Sequence, residues 1–450
     1  MSEYHCGRGG MGRIAAKFGG SSVADAGQIR KIAAIIDSDP RRSIVVVSAP
    51  GKRHGGESKL TDLLYLCQDM AAMATAITEP FGLIRGRYAE IVVELGLDPA
   101  VLADIDRFGD ELVAGCSADY AASRGEYFSA RLIAEFLGAE FIDPAQYILI
   151  RANGTIAPES YELLGARLAE PSKRYVMAGF YGRNRHGEVK TFSRGGSDIS
   201  GAIAARSAGA MLYENWTDTS GILMADPRII DNPRPIAEIS FREIREMAYM
   251  GASVFHDEAI LPVREVGIPI RIKNTNRPDE PGTLITPSLS ATTVETTEIA
   301  GIAGKKGFSM ISLEKTLMNR EIGFVHRLLG ILREQGVSFE QCPSSIDSVS
   351  VIIEDDKLGG LDDVLLEQIS RQLEPDSISI EKDLALVAVV GEGMIRTVGI
   401  SGKIFGALGR AGINVRVINQ GASEMNIIIG VSGADYETTV RTIYQAFIGD

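Results

Sequence analysis

From residue 13 to about residue 285, continuous apolar runs alternate with segments of helical periodicity. RIAAKF, SIVVVS, RYVMAGF and AMLYENW read as buried strands. DAGQIRKIAAIID and SDISGAIAARSAG read as helices, as do SFREIREMAYMG and SVFHDEAILPVREVG, and IPIRIKN reads as a further strand. Strands apolar on both faces and separated by helices mark a largely parallel sheet covered on both sides. Beyond the polar NRPDEPG and the Ser/Thr-rich SLSATTVETTEI the units shorten: FSMISLE, EIGFVHRLLGILREQG and SVSVIIED give strand, helix, strand. LALVAVVGE, SGKIFGALGRAGI, VRVINQG, EMNIIIGVSG and DYETTVRTIYQAFI then repeat a similar order, and GILREQGVS against GALGRAGIN suggests an internal duplication.

At 450 residues, with 45% hydrophobic and 23% charged residues, two or three ordinary domains are expected. A net charge of -13 argues against nucleic acid or anionic membrane as partner, so an anionic ligand needs local basic groups. Cys6, Cys67, Cys116 and Cys342 are far apart and the five histidines show no metal-ligand spacing, which favours reduced thiols and a cytoplasmic protein. MSEYHCGRGGMG lacks the apolar core of a signal peptide, and residues 1–12 are expected to be disordered. Its GRGGMG precedes a strand rather than following one, which excludes a dinucleotide fingerprint.

Three segments carry chemistry. KFGGSS ends a strand with Lys17 ahead of Gly19 and Gly20; glycines that admit backbone N–H groups and a lysine that neutralises charge suit a nucleotide phosphate, while an ordinary strand–turn–helix explains the same letters. The lysine precedes the glycines, so the segment is not a P-loop. FSRGGSD sets Arg194, Gly195, Gly196, Ser197 and Asp198 before a helix; either the arginine grips a carboxylate at the helix N-terminus or Ser197 and Asp198 simply cap it. WTDTSGILMADPR brings Thr217, Asp218, Asp226 and Arg228, which suit a nucleotide or a polar turn. Glu126, in SRGEYFSARL, reads as a carboxylate opening a helix, and His256 as structural.

In this order KFGGSSV, VVVSAPGK followed by KLTDLL, SRGE, FSRGGSD, WTDTSGI and ADPR closely resemble the aspartate kinases, from about residue 13 onward. The resemblance implies a three-layer α/β amino-acid kinase domain, carbamate-kinase-like, with an open, mainly parallel sheet over residues 13–298. Two ACT domains follow, ferredoxin-like βαββαβ modules, one made of 299–314 and 383–450 and the other, 315–382, inserted within it. It implies ATP with Mg²⁺ held through the phosphates, the nucleotide on Lys17, Phe18, Gly19, Gly20, Thr217, Asp218 and Arg228, and Lys17, Arg194 and Asp198 as the catalytic group. L-Aspartate would lie on Ser48, Thr61, Glu126, Arg194, Gly195, Gly196 and Ser197. An amino-acid effector, lysine favoured over threonine, would meet Met318, Gly323, Phe324, Ser338 and Glu340, with Ser344 and Ser345 nearby. Glu340 suits an ε-ammonium, or is a solvated strand residue.

Two positions depart from the family pattern. The usual GAKVLHP is GASVFHD here, with Ser253 and Asp257 where a lysine and a proline are common, and an aromatic often found after TDxxGI is Leu223. The chain ends soon after the second ACT-like unit, which implies a monofunctional enzyme, and a homodimer or dimer of dimers is expected through the ACT modules. The rival readings are another amino-acid kinase and a catalytically silent amino-acid sensor.

Overall fold

The computed structural model describes residues 12–193, 195–252 and 257–449. They form two compact units: residues 12–222, Pro235–Ile244 and 257–289 make the first, and Leu223–Arg234, Arg245–Ala252 and 290–449 the second.

The first unit is built on β1 (Ile14–Phe18), β2 (Arg42–Val47), β3 (Glu140–Ile142), β4 (Tyr175–Ala178), β7 (Leu212–Thr217), β8 (Glu238–Ser240), β9 (Ile270–Asn274) and β10 (Thr283–Thr286). Their order is β3-β4-β2-β1-β7-β9-β10-β8, parallel except where β10 runs against β9. A hairpin of β5 (Tyr181–Arg183) and β6 (Val189–Thr191) stands apart. Side chains alternate across the sheet. Ala16, Phe18, Val45, Val47, Val176 and Ala178 join the core built with α1 (Ala26–Asp37), α2 (Leu60–Ala72), α3 (Thr78–Leu95), α4 (Ala100–Ala114) and α5 (Ala118–Phe136). On the other face α7 (Gly196–Ser207) packs over β1, β2 and β7, with α6 (Glu159–Arg167) and α9 (Asp257–Arg264) beside it, and α8 (Phe241–Tyr249) follows β8. This is the expected three-layer architecture with an open, mainly parallel sheet.

RYVMAGFYG, read as one strand, is broken in two: Phe180 takes φ 77°, a costly left-handed conformation for a side chain of this size. Its N–H donates to Ser200 Oγ at 3.0 Å and its carbonyl accepts Phe192 N–H at 2.9 Å, which hold the kink. The Ser/Thr-rich link also holds a short helix, α10 (Ala291–Thr296), capped by Ser290.

The second unit carries a five-stranded antiparallel sheet, β12-β11-β13-β15-β14, from β11 (Gly301–Glu314), β12 (Ser348–Glu354), β13 (Ser377–Val390), β14 (Val417–Gln420) and β15 (Asn426–Ser432). The two long strands each serve two strand–helix sets: β12 pairs with residues 308–314 of β11, and β15 with residues 384–390 of β13. Helices α11 (Phe324–Glu334), α12 (Asp355–Leu358) and α13 (Asp362–Leu373) belong to one set, α14 (Ile400–Arg410) and α15 (Tyr436–Ile448) to the other. The duplication is visible at matching points. Gly323 and Gly399, at φ 81° and 95°, precede α11 and α14, and fully exposed Ile322 and Val398 precede those glycines.

Candidate active site

The site forms at the carboxyl ends of the central parallel strands, where an open α/β sheet leaves a crevice. Lys17 points to the α7 face, and its ammonium lies 2.5 Å from Asp198 Oδ1, both side chains largely buried. Phe18 points the opposite way and stacks on Trp216 at 5.9 Å, so only its main chain is left for a nucleotide.

After Gly19, whose N–H bonds the Trp216 carbonyl at 3.0 Å, the chain turns through Gly20. Gly51 N–H meets the Gly20 carbonyl at 2.8 Å, and a Cβ on Gly51 would fall 2.5 Å from the Gly20 carbonyl carbon. The glycines here therefore let two loops, 18–22 and 48–52, pack backbone on backbone. Ser48 N–H bonds the Phe18 carbonyl at 3.1 Å, which sets this residue at the same edge.

Glu126 corrects its sequence reading. It sits in the middle of α5, not at its start, and is buried, so the helix dipole does not explain it. Gly125 allows the close approach: a Cβ there would meet Ala49 at 2.8 Å and Leu60 at 3.2 Å, next to Thr61. Burial pushes the Glu126 carboxyl up to about 8, against the pull of the Ala49 N–H, its own N–H and the Lys17 charge. Its Oε2 has no hydrogen-bond partner among the described residues. Tyr88, buried, donates to the Gly125 carbonyl at 2.7 Å and fixes this turn of α5.

Helix α7 begins at Gly195, in the left-handed region at φ 70°, with no side-chain cap. The capping reading of Ser197 and Asp198 therefore fails: the Asp198 carboxylate serves Lys17 and accepts from Asn215 Nδ2 at 2.9 Å. A Cβ on Gly196 would meet Phe180 at 2.6 Å, and one on Gly179 would meet Ser197 at 2.8 Å, so α7 starts hard against the end of β4. Arg194, Ser253 and His256 lie outside the described residues.

At the end of β7, Thr217 Oγ1 donates to Asp218 Oδ1 at 3.1 Å, and Asp218 is exposed. Buried Asn274 orders this turn with bonds to the Asp218 carbonyl at 3.1 Å and to Ser220 Oγ at 3.0 Å. Arg228 belongs to the second unit, where it is exposed and forked onto Asp226, with Nη2 to Oδ2 at 2.6 Å, and Asp226 Oδ1 accepts the Arg228 N–H at 2.8 Å. A polar turn accounts for those two residues. The first unit thus gathers Lys17, Gly19, Gly20, Ser48, Glu126, Gly195–Asp198, Thr217 and Asp218 at one edge. Sequence reading missed Asn215, Asn274, Tyr88 and Phe180, and only the alternation of β7 carried a signal for the first.

In the second unit Met318 and Phe324 are buried, while Ser338, Ser344 and Ser345 are exposed. Glu340 is not a solvated strand residue. Its carboxylate is nearly covered, pairs with Lys357 Nζ at 2.5 Å and accepts the Tyr249 hydroxyl. That bond raises Lys357, and burial together with Glu340 pushes Tyr249 up to about 12. No helix among the described residues is long and apolar enough to cross a membrane.

Comparison with known proteins places the fold in a family. The amino acid kinase family model matches residues 12–274 and an ACT domain model residues 387–447. The chain belongs to the amino acid kinase family. Aspartokinase 3 of Bacillus subtilis is 39% identical over 447 residues, 96% of this chain and 98% of the relative. The crystal structure of Clostridium acetobutylicum aspartate kinase matches with TM-score 0.88 at 48% identity, covering 97% and 100% of the two chains. Escherichia coli aspartokinase III, solved with aspartate and ADP, matches with TM-score 0.73 at 27% identity over 96% and 99%. Solved with lysine and aspartate in its T-state it matches at 0.71, also at 27% identity, over 97% and 99%. Within its family the chain is thus an aspartate kinase carrying an ACT regulatory region.

Proposed function

We propose that the chain uses ATP with Mg²⁺ to phosphorylate the β-carboxylate of L-aspartate, giving 4-phospho-L-aspartate and ADP, and that lysine restrains it through the ACT region. The carrying observation is the pairing of opposites at one edge: the Lys17 ammonium beside Asp198, and a buried Glu126 carboxyl whose Oε2 is unpartnered among the described residues. The first suits phosphate, the second an amino-acid ammonium.

A β-carboxylate oxygen attacks the γ-phosphorus, the bond from phosphorus to the β,γ-bridging oxygen breaks, and the electron pair leaves on ADP. The nucleophile is already ionised at neutral pH, so no general base is required. Lys17 and the Gly20 N–H take up charge on the transferring group, and Glu126, Ser48, Thr61 and the start of α7 hold aspartate in line. Magnesium, carried in on the ATP phosphates as part of the substrate, would supply charge neutralisation there. Arg194 takes the α-carboxylate in this reading, and Thr217 and Asp218 the nucleoside side.

The same proposal assigns residues 13–298 to the kinase domain, 299–314 with 383–450 to one ACT module and 315–382 to the inserted one. Two copies pair through these modules, for which exposed Ile322 and Val398 offer apolar surface. Early commitment to lysine, threonine and methionine synthesis in the cytoplasm fits this activity. The test is ADP release from MgATP with aspartate, glutamate or carbamate, each with and without lysine or threonine. Aspartate-dependent turnover suppressed by lysine supports the reading; turnover with another acceptor, or amino-acid binding with no turnover, replaces it by one of its rivals.

A further inference from the structure

Asn215 is a neutral polar side chain that the sheet register brings to the charged pair. β1 and β7 run parallel with Lys17 opposite Asn215, so both side chains leave the sheet on the same face. Alternation does the rest. Glu214 and Trp216 turn to the other face, where Glu214 meets Arg42 at 2.7 Å and Trp216 stacks on Phe18. Tyr213 and Asn215 turn towards α7. The Tyr213 hydroxyl donates to the Asp198 carbonyl at 3.0 Å, and Asn215 Nδ2 donates to Asp198 Oδ1 at 2.9 Å. That oxygen also receives the Lys17 ammonium at 2.5 Å, and Asn215 itself is buried.

We infer that Asn215 is a positioning residue for phosphoryl transfer, acting through Asp198 on Lys17; the inference rests on the reading that Lys17 meets the transferring phosphate. The Lys17 ammonium cannot give full strength to a phosphate while Asp198 Oδ1 holds it alone. A second, uncharged donor on that oxygen weakens the grip on Lys17 and keeps the carboxylate fixed when the ammonium shifts. An amide suits this task because it donates without titrating and without competing for the phosphates. An apolar side chain at 215 would leave Asp198 and Lys17 locked on each other.

The test uses Asn215→Leu, which removes the donor, and Asn215→Asp, nearly isosteric, which replaces it with an acceptor. Loss of a hydrogen bond to a charged group predicts a kcat lower by about 10- to 100-fold in the leucine variant, with KM for ATP and for aspartate within about twofold of the parent. The aspartate variant should lose at least as much, because two carboxylates then compete for one lysine. Both are measured as aspartate-dependent ADP release, beside urea unfolding of each protein. A kcat within twofold of the parent in either folded variant overturns the inference. So does a loss shared by kcat, both KM values and the unfolding midpoint, which marks a merely structural residue. If the parent itself gives no aspartate-dependent ADP, the reading of the site has failed rather than the role of Asn215.

Discussion

Replacing Glu126 by glutamine turns a strongly perturbed carboxyl of the first unit into a measurable quantity. In the free enzyme burial holds this group at about 8 against an ordinary value of 4.5. Below pH 4.5 folded and unfolded chains both carry the proton and the group adds nothing. As pH rises above 4.5 the unfolded chain ionises while the folded one keeps its proton, so stability falls by about 1.4 kcal/mol per pH unit. The fall levels off above pH 8, at a total of about 5 kcal/mol for a gap of roughly 3.5 units. Glutamine cannot ionise, so Glu126→Gln should gain on the parent steadily between pH 5 and 8, whatever its offset at pH 5. Urea unfolding of ligand-free protein at several pH values measures this difference. A companion experiment uses aspartate itself. At pH 7 about nine-tenths of the Glu126 population is protonated, so docking an ammonium on the ionised form should release close to one proton. Titration calorimetry in buffers of different ionisation enthalpy reads that number directly. Parallel stability curves for parent and variant would refute the assignment of the raised carboxyl to Glu126, and binding without proton release would refute its contact with the ammonium.

Lys17→Ala should remove most phosphoryl transfer, by about 100-fold or more, and leave aspartate binding intact by calorimetry; near-parental kcat would contradict the role of the lysine. In the ACT region Lys357 holds Glu340 in the place foreseen for a lysine ε-ammonium, so an effector has to displace it. Lys357→Met should lower the lysine concentration for half-inhibition by about two- to fivefold, and an unchanged or higher value would remove Glu340 from the effector site. Arg42 and Glu214 form a buried pair at 2.7 Å, with Trp216 Nε1 on the same carboxylate at 2.9 Å. Arg42→Met strands that charge and should cost about 3–5 kcal/mol in urea unfolding, recovered in large part by adding Glu214→Leu; a loss below about 1 kcal/mol would show the pair to be dispensable.

Where local pattern governs, the sequence was sufficient. Apolar runs in RIAAKF and SIVVVS specify strands buried on both faces, and KFGGSS and GGSD mark the element ends at which the candidate site forms, because period and turn chemistry act over a few residues. The repeat before α11 and α14 is legible for the same reason. Tertiary structure decided what depends on residues far apart in the chain. Register between β1 and β7 puts Asn215 beside Lys17, and no local signal carries a register across so long a separation. Packing of α5 onto loop 48–51 makes Glu126 a buried acid rather than a helix-opening carboxylate. Segments Leu223–Arg234 and Arg245–Ala252, continuous in sequence with the kinase motifs, join the C-terminal unit, which gives Glu340 its tyrosine. Pairings of this kind follow from which surfaces meet when apolar faces are buried, and that is a property of the folded chain.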